Sequence, residues 1–165
     1  MRFKICPICG DSLNPKTLED RERMACNECG WVHYENPLPS AAAFVRNPEG
    51  GILLVKRGVE PGYGQWALPS GFIEVEETPE MGCLRELEEE TGLKGEIVQL
   101  VGVYSQESSM YKNVIIIGYE VEVFGELQPG SDSLEAKYFC PQDLPEIAFP
   151  SHRQMLADGI RMSKT

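Results

Sequence analysis

The rhythm of apolar positions in this 165-residue chain changes near Pro39. Before it, aliphatic residues are sparse and four cysteines punctuate a polar text. After it, apolar runs of strand length alternate with turn signals. Residues 41–45 read as a short buried strand. Asn47-Pro48-Glu49-Gly50-Gly51 is a turn, and 52–55 returns as the hairpin partner. Residues 66–69 are extended and end at Ser70-Gly71. Thr78 followed by Pro79 marks a helix start, with Thr as N-cap and Pro at the first helical position. The helix runs to Thr91, and Gly92 stops it. Residues 97–103, 114–124 and 137–139 are strands, and 152–160 is a closing helix. Strands outnumber helices and flank the one strong helix. The pattern therefore predicts an α+β fold with a mixed sheet packed by helices. Asn36-Pro37-Leu38-Pro39 divides the chain into a small unit, 1–35, and a main domain, 36–165, because two prolines stiffen the joint and disfavour helix.

Charge changes this picture in one respect. Twenty-six Asp and Glu oppose 15 Lys and Arg, a net charge of −11. That balance argues against a nucleic-acid surface, which needs clustered Lys and Arg. The N-terminal unit offers Arg2, Lys4, Lys16, Arg21 and Arg23, but its acids outnumber them. No apolar run of about 18 residues exists, so no membrane span is expected. Met1-Arg2-Phe3-Lys4-Ile5-Cys6 carries no secretory h-region, which makes the cytoplasm the expected compartment.

The cysteines come as two copies of one knuckle, Cys6-Pro7-Ile8-Cys9-Gly10 and Cys26-Asn27-Glu28-Cys29-Gly30, with sixteen residues between the pairs. Each turn can aim two thiolates at one point, and the Gly after it permits the turn's backbone angles. Four thiolates in a tetrahedron suit structural zinc and leave no open position. Iron in a rubredoxin-like site competes, and two disulfides do not suit a cytoplasmic chain. His33 reads as a surface or packing residue, and Cys83 as a small packing residue.

The acid excess is local. Residues 74–96 hold nine Glu against Arg85 and Lys94, so −7 of the −11 lies there. Projected at about 100° per residue, Leu84, Leu87, Met81 and Thr91 form an apolar stripe. Glu86, Glu89 and Glu90 share the opposite side, where like charges destabilise a helix. A solvated acidic face is one reading. A hard divalent cation is the other, because magnesium and manganese take carboxylate and phosphate oxygens. The Gly-containing loop before the helix and Arg85 among the acids favour the cation.

Gly71, five residues, Glu77, seven residues, then Arg85-Glu86-Leu87-Glu88-Glu89-Glu90-Thr91-Gly92-Leu93 resembles the Nudix box at every defined position. The resemblance implies an α/β/α sandwich preceded by a small zinc ribbon with four cysteine ligands, Cys6, Cys9, Cys26 and Cys29. It also implies a hydrolase acting on a nucleoside diphosphate linked to another moiety. By it, Glu86, Glu89 and Glu90 hold Mg²⁺ or Mn²⁺ together with a backbone carbonyl at Ser70-Gly71, Arg85 orients a glutamate, and Glu77 supports the loop. Nudix enzymes often take another acid from a later loop. Asp132 and Glu135 are the candidates here, with Glu135 favoured slightly. Arg57 is a candidate for a phosphate and Trp66 for a base, each with a plain structural alternative.

The ribbon narrows the resemblance. The aromatic-proline signature of NADH pyrophosphatases is missing after Ser105-Gln106, where Glu107-Ser108-Ser109-Met110-Tyr111 follows. Tyr34-Glu35-Asn36-Pro37, Trp66-Ala67-Leu68-Pro69-Ser70-Gly71-Phe72 and Ile147-Ala148-Phe149-Pro150-Ser151 resemble ribbon-bearing Nudix proteins and the FAD and ADP-ribose pyrophosphatase group. The expected substrate is ADP-ribose or FAD, giving AMP and ribose 5-phosphate or FMN. NADH cleavage and a nucleotide-binding regulatory module without turnover are the alternatives. A homodimer would be common for this family.

Overall fold

The computed structural model describes residues 3–130 and 132–162. Arg2, counted above among the basic residues, and Ser131 of the late loop lie outside the described residues, as does Met1. The chain divides into two compact units, Met1–Asn36 and Pro37–Thr165.

The first unit is a three-stranded antiparallel sheet. Strands β1 (Leu13–Leu18), β2 (Arg21–Cys26) and β3 (Val32–His33) lie in that order. Glu19 and Asp20 join β1 to β2, both at positive φ, as a two-residue hairpin turn requires. Cys6, Leu13 and Cys26 are buried, with Met24 and Trp31 packed on them. His33 lies against the Phe3 and Trp31 rings.

The second unit is a mixed sheet between two helices. Strand β4 (Leu38–Val45) pairs in parallel with β9 (Lys112–Phe124) and antiparallel with β7 (Ser70–Phe72). Strand β8 (Lys94–Ser108) pairs with β9, which gives the order β7-β4-β9-β8. Strands β5 (Ile52–Arg57), β6 (Trp66–Ala67) and β10 (Ser133–Phe139) form a second ladder in the order β10-β5-β6. Helix α1 (Pro79–Thr91) covers one face and α2 (Pro150–Met162) the other.

Alternation along β4 explains the two cores. Ala41, Ala43 and Val45 pack with Leu53, Cys83 and Leu87 on the α1 side. Ala42 and Phe44 pack with Ile52, Leu54, Met155 and Leu156 on the α2 side. A strand buried on both faces reads as a continuous apolar run, as 41–45 does.

Three expectations shift. Strands β4 and β5 are not hairpin partners: each pairs in a different ladder, and only an isolated bridge from Arg46 to Ile52 links them. Strand β8 is fifteen residues long rather than seven: it gains 94–96 before and 104–108 after the expected range, while its bulges, between Ile97 and Gln99 and between Leu100 and Gly102, lie inside that range. The added ends are mostly polar, so no apolar run marks them. The buried face of α1 is rotated from the projected stripe. Cys83, Leu87, Glu90 and Thr91 are buried, whereas Met81 is 54% exposed. Among the described residues no helix is long and apolar enough to cross a membrane.

Candidate active site

Helix α1 is built as its sequence directs. The Thr78 hydroxyl accepts the Met81 amide at 3.3 Å, Pro79 follows, and Gly92 closes the helix in the left-handed region. Cys83, Leu87 and Thr91 clamp it to the sheet, which carries Glu90 to the buried face with them.

Arg85 organises the acids around it. Its guanidinium takes Glu77 in a two-bond fork at 2.6 and 3.0 Å, Glu86 at 2.8 Å and Glu89 at 3.1 Å. It also donates to the Phe72 carbonyl at 2.9 Å, which ties the loop to the helix. Arg85 beside Glu77 holds that carboxyl down to about 2. Glu77 also accepts the Glu74 amide at 3.0 Å and so closes the loop on itself.

Glu90 lies deeper. It is 9% exposed, and the Ser70 amide donates to it at 2.9 Å. Burial pushes its carboxyl up to about 8, and the neighbouring charges of Glu86 and Asp132 add to this. The Ser70 amide and Arg57 oppose the shift. Burial also raises Glu86, against the pull of Arg85. Gly71 makes room for that side chain: a Cβ there would fall 2.1 Å from the Glu86 carboxylate. The Gly71 carbonyl accepts the Ser40 hydroxyl at 2.7 Å.

This donor set fits a hard divalent cation. Burial disfavours both Glu86 and Glu90 as anions, Glu86 lies against the bare Gly71 and its charge acts on Glu90, so a cation there would relieve both. Glu89 stands at the exposed rim with Arg85, its side chain 59% exposed.

Of the other residues singled out by the sequence, Arg57 reaches this cluster. Its Nε donates to the Pro61 carbonyl at 2.7 Å and its guanidinium lies 4.9 Å from the Phe149 ring centre. Burial lowers its pKa, while the charges of Glu90, Glu60 and Asp132 raise it. Asp132 is anchored through its carbonyl, which accepts the Gly58 amide at 2.8 Å. Glu135 is not brought to the cluster. It pairs with Lys56 at 2.7 Å and Lys137 at 3.5 Å. Lys56 and Arg57 are consecutive in β5, so they point to opposite faces, and Glu135 follows Lys56. Asp132, by contrast, lies near enough for its charge to act on Glu90 and Arg57. Trp66 goes the same way as Glu135: it packs edge-on to Phe139 at 4.7 Å with Lys137 over its ring, away from the glutamates.

The four cysteine sulfurs lie within 4.8 Å of one another. Cys6 and Cys29 approach to 3.5 Å and Cys9 and Cys26 to 3.4 Å. Bonds of about 2.3 Å to a tetrahedral zinc imply sulfur separations near ~3.8 Å, so the set fits a thiophilic ion.

The sequence reading missed His152. It is buried on α2, and its Nδ1 accepts the Leu68 amide at 3.2 Å. Its place in the stripe 152, 155, 156 and 159, all buried, was the available signal. Burial, with a further push from Arg57, lowers its pKa to about 3. Above the ordinary value near 6.5 the ring is neutral in both folded and unfolded chains. Below it the unfolded chain takes up the proton and the folded one does not. Stability from this group is therefore complete above about pH 6.5 and lost as pH falls towards 3, at up to ~1.4 kcal/mol per pH unit. Urea melts between about pH 7 and 4 should show a steeper loss for the natural protein than for His152→Asn.

A family model described as NUDIX domain matches residues 36–159, and a zinc-ribbon model described as Nudix N-terminal matches residues 4–35. The chain is 42% identical over 112 residues to an ADP-ribose pyrophosphatase of Methanocaldococcus jannaschii, covering 67% of this chain and 66% of that protein. It is 32% identical over 152 residues to the NAD-capped RNA hydrolase NudC of Vibrio vulnificus, covering 90% of this chain and 54% of that one. It thus spans about half the length of the NudC relative. The crystal structure of a Nudix hydrolase from Nitrosomonas europaea superposes with a TM-score of 0.85 at 30% identity, covering 98% of this chain and 93% of the other.

Proposed function

The chain belongs to the Nudix hydrolase family, and on that premise we propose that it hydrolyses the pyrophosphate bond of a nucleoside diphosphate derivative. ADP-ribose is the first candidate, giving AMP and ribose 5-phosphate, and FAD the second, giving AMP and FMN. The observation that carries this reading is the buried Glu90, with Glu86 beside it against the bare Gly71. The M. jannaschii relative's name supports ADP-ribose.

Glu86, Glu89 and Glu90, with a backbone carbonyl at Ser70, would hold Mg²⁺ or Mn²⁺, and the four cysteines would hold Zn²⁺. When bound, the divalent cation supplies neutralisation of the diphosphate and acidification of a water. Arg57 donates to a phosphate oxygen, since its guanidinium is already fixed by Pro61 and Phe149 and faces the carboxylates. Arg85 keeps Glu77, Glu86 and Glu89 in register. Asp132 accepts the proton of the attacking water, and the leaving phosphate departs as an anion. Reduced thiols set for a metal point to the cytoplasm as the setting.

A second reading rests on the match that includes the ribbon, which covers 90% of the chain and is to an NAD-capped RNA hydrolase. A panel of ADP-ribose, FAD, NADH and NAD-capped RNA with Mg²⁺ and Mn²⁺, read by product identification, separates the two. AMP release from ADP-ribose or FAD ahead of the others supports the first. No release from any member would reject both. Within the panel, Asp132→Asn should lower kcat by about 10²-fold or more, the contribution of a general base, while Glu135→Gln stays within about threefold of the natural protein.

A further inference from the structure

Segment 68–71 carries the amide that holds Glu90 and the glycine that admits Glu86. Its position is set from three directions. The Pro69 carbonyl accepts the Ala43 amide at 2.9 Å, and the Gly71 carbonyl accepts the Ser40 hydroxyl at 2.7 Å, both from β4. The Ser70 amide reaches α1 through Glu90. The third attachment comes from the opposite side of the sheet, where His152 of α2 takes the Leu68 amide. Leu68 is fully buried and His152 is 3% exposed, so no water replaces that acceptor. Between Leu68 and Ser70 stands Pro69, whose locked φ passes a shift at one neighbour to the other.

The start of α2 holds more than the loop. Phe149 lies under the Arg57 guanidinium and meets the His152 ring edge-on at 5.1 Å. Ser151 donates to Gln106 at 2.7 Å and so joins α2 to β8. One turn of helix therefore supports both the cation that faces the carboxylates and the strand that holds Glu90.

We propose that His152 is a positioning residue for the carboxylate site: its Nδ1 lone pair fixes Leu68, and through the rigid Pro69 sets the Ser70 amide that orients Glu90. This rests on the reading of Glu86 and Glu90 as divalent-cation ligands. Partners behind a metal ligand typically contribute about 10–100-fold to affinity or rate. His152→Leu fills the cavity but offers no acceptor, whereas His152→Asn places an amide oxygen near the lost Nδ1.

Three measurements on the full-length chain test this. In His152→Leu, Mn²⁺ affinity by calorimetry without substrate should fall by about tenfold or more, and kcat for the best substrate by about 10–100-fold, with KM within about threefold. Hydrogen exchange at the Leu68 and Ser70 amides should accelerate while the α1 core stays protected. His152→Asn should recover most of each loss. Should His152→Leu not fold, His152→Gln takes its place, since it carries the acceptor one carbon too far out. His152→Leu matching the natural protein in Mn²⁺ affinity and kcat would overturn the proposal, and so would His152→Asn performing no better than His152→Leu. The exchange and metal arms need no substrate. A natural protein that binds Mn²⁺ but cleaves nothing therefore rejects the proposed hydrolysis and leaves this inference to be decided on those arms. One that binds no Mn²⁺ overturns both.

Discussion

Glu90→Gln is expected to lower hydrolysis by about 10³-fold, the rate equivalent of several kcal/mol of transition-state stabilisation by a bound metal. The substitution keeps the shape and the oxygen that accepts the Ser70 amide at 2.9 Å. It exchanges the other carboxylate oxygen for an NH2 group and so removes the charge. Because burial already works against that charge, the metal-free variant should melt at or above the temperature of the natural protein. Added Mg²⁺ or Mn²⁺ should raise the melting temperature of the natural protein, since a ligand that binds only the folded state stabilises it by mass action. The variant should show little such rise. Glu88→Gln is the control. Glu88 is exposed and pairs loosely with Lys94 at 3.7 Å, so activity and metal response should match the natural protein. Activity in Glu90→Gln within about tenfold of natural would remove Glu90 from the site.

Withdrawing the metal from the cysteines should unfold residues 1–36 altogether. That unit buries Cys6, Leu13, Ala25 and Cys26, with Met24 and Trp31 partly covered, far less apolar surface than a stand-alone fold of its length requires. Apparent binding energies for zinc in such small units are about 10–16 kcal/mol, so the ion and the fold come together. Cys26→Ser, or a thiol-competing chelator, should abolish hydrogen-exchange protection across β1 and β2 and red-shift the Trp31 fluorescence. Strands β4 and β9 should stay protected. Elemental analysis of the natural protein should give one zinc per chain. Protected β1 and β2 amides in Cys26→Ser would show that the unit folds without its ion.

Much of this architecture can be read from the residues because local and long-range preferences agree. Helix α1 is bounded by Thr78-Pro79 and Gly92, and both ends hold in the structure. The cysteine knuckles carry their own geometry in the spacing. The rest is hidden for identifiable reasons. The apolar stripe projected on α1 misses the buried face because Glu90, a charged residue, takes a buried position and Met81 an exposed one, against the usual ordering by hydrophobicity. The choice between Asp132 and Glu135 turns on strand parity. A bulge between Ser133 and Glu135 alters that parity, and no sequence period reports it. His152 looks like an ordinary residue of a helix start, since its role depends on a partner 84 positions away.

The two bulges of β8 have a bearing on solubility. Among the described residues this strand lies at the edge of its sheet and is fifteen residues long, with Val98, Leu100 and Val103 each at least half exposed. A straight edge of that kind is a template on which a second molecule can add, then a third, as in fibril growth. Val98 and Val101 are the extra residues at the two register shifts, and each bends the strand and interrupts the row of free amides and carbonyls. The same irregularities make this edge a poorer template for a second copy than a straight strand of that length.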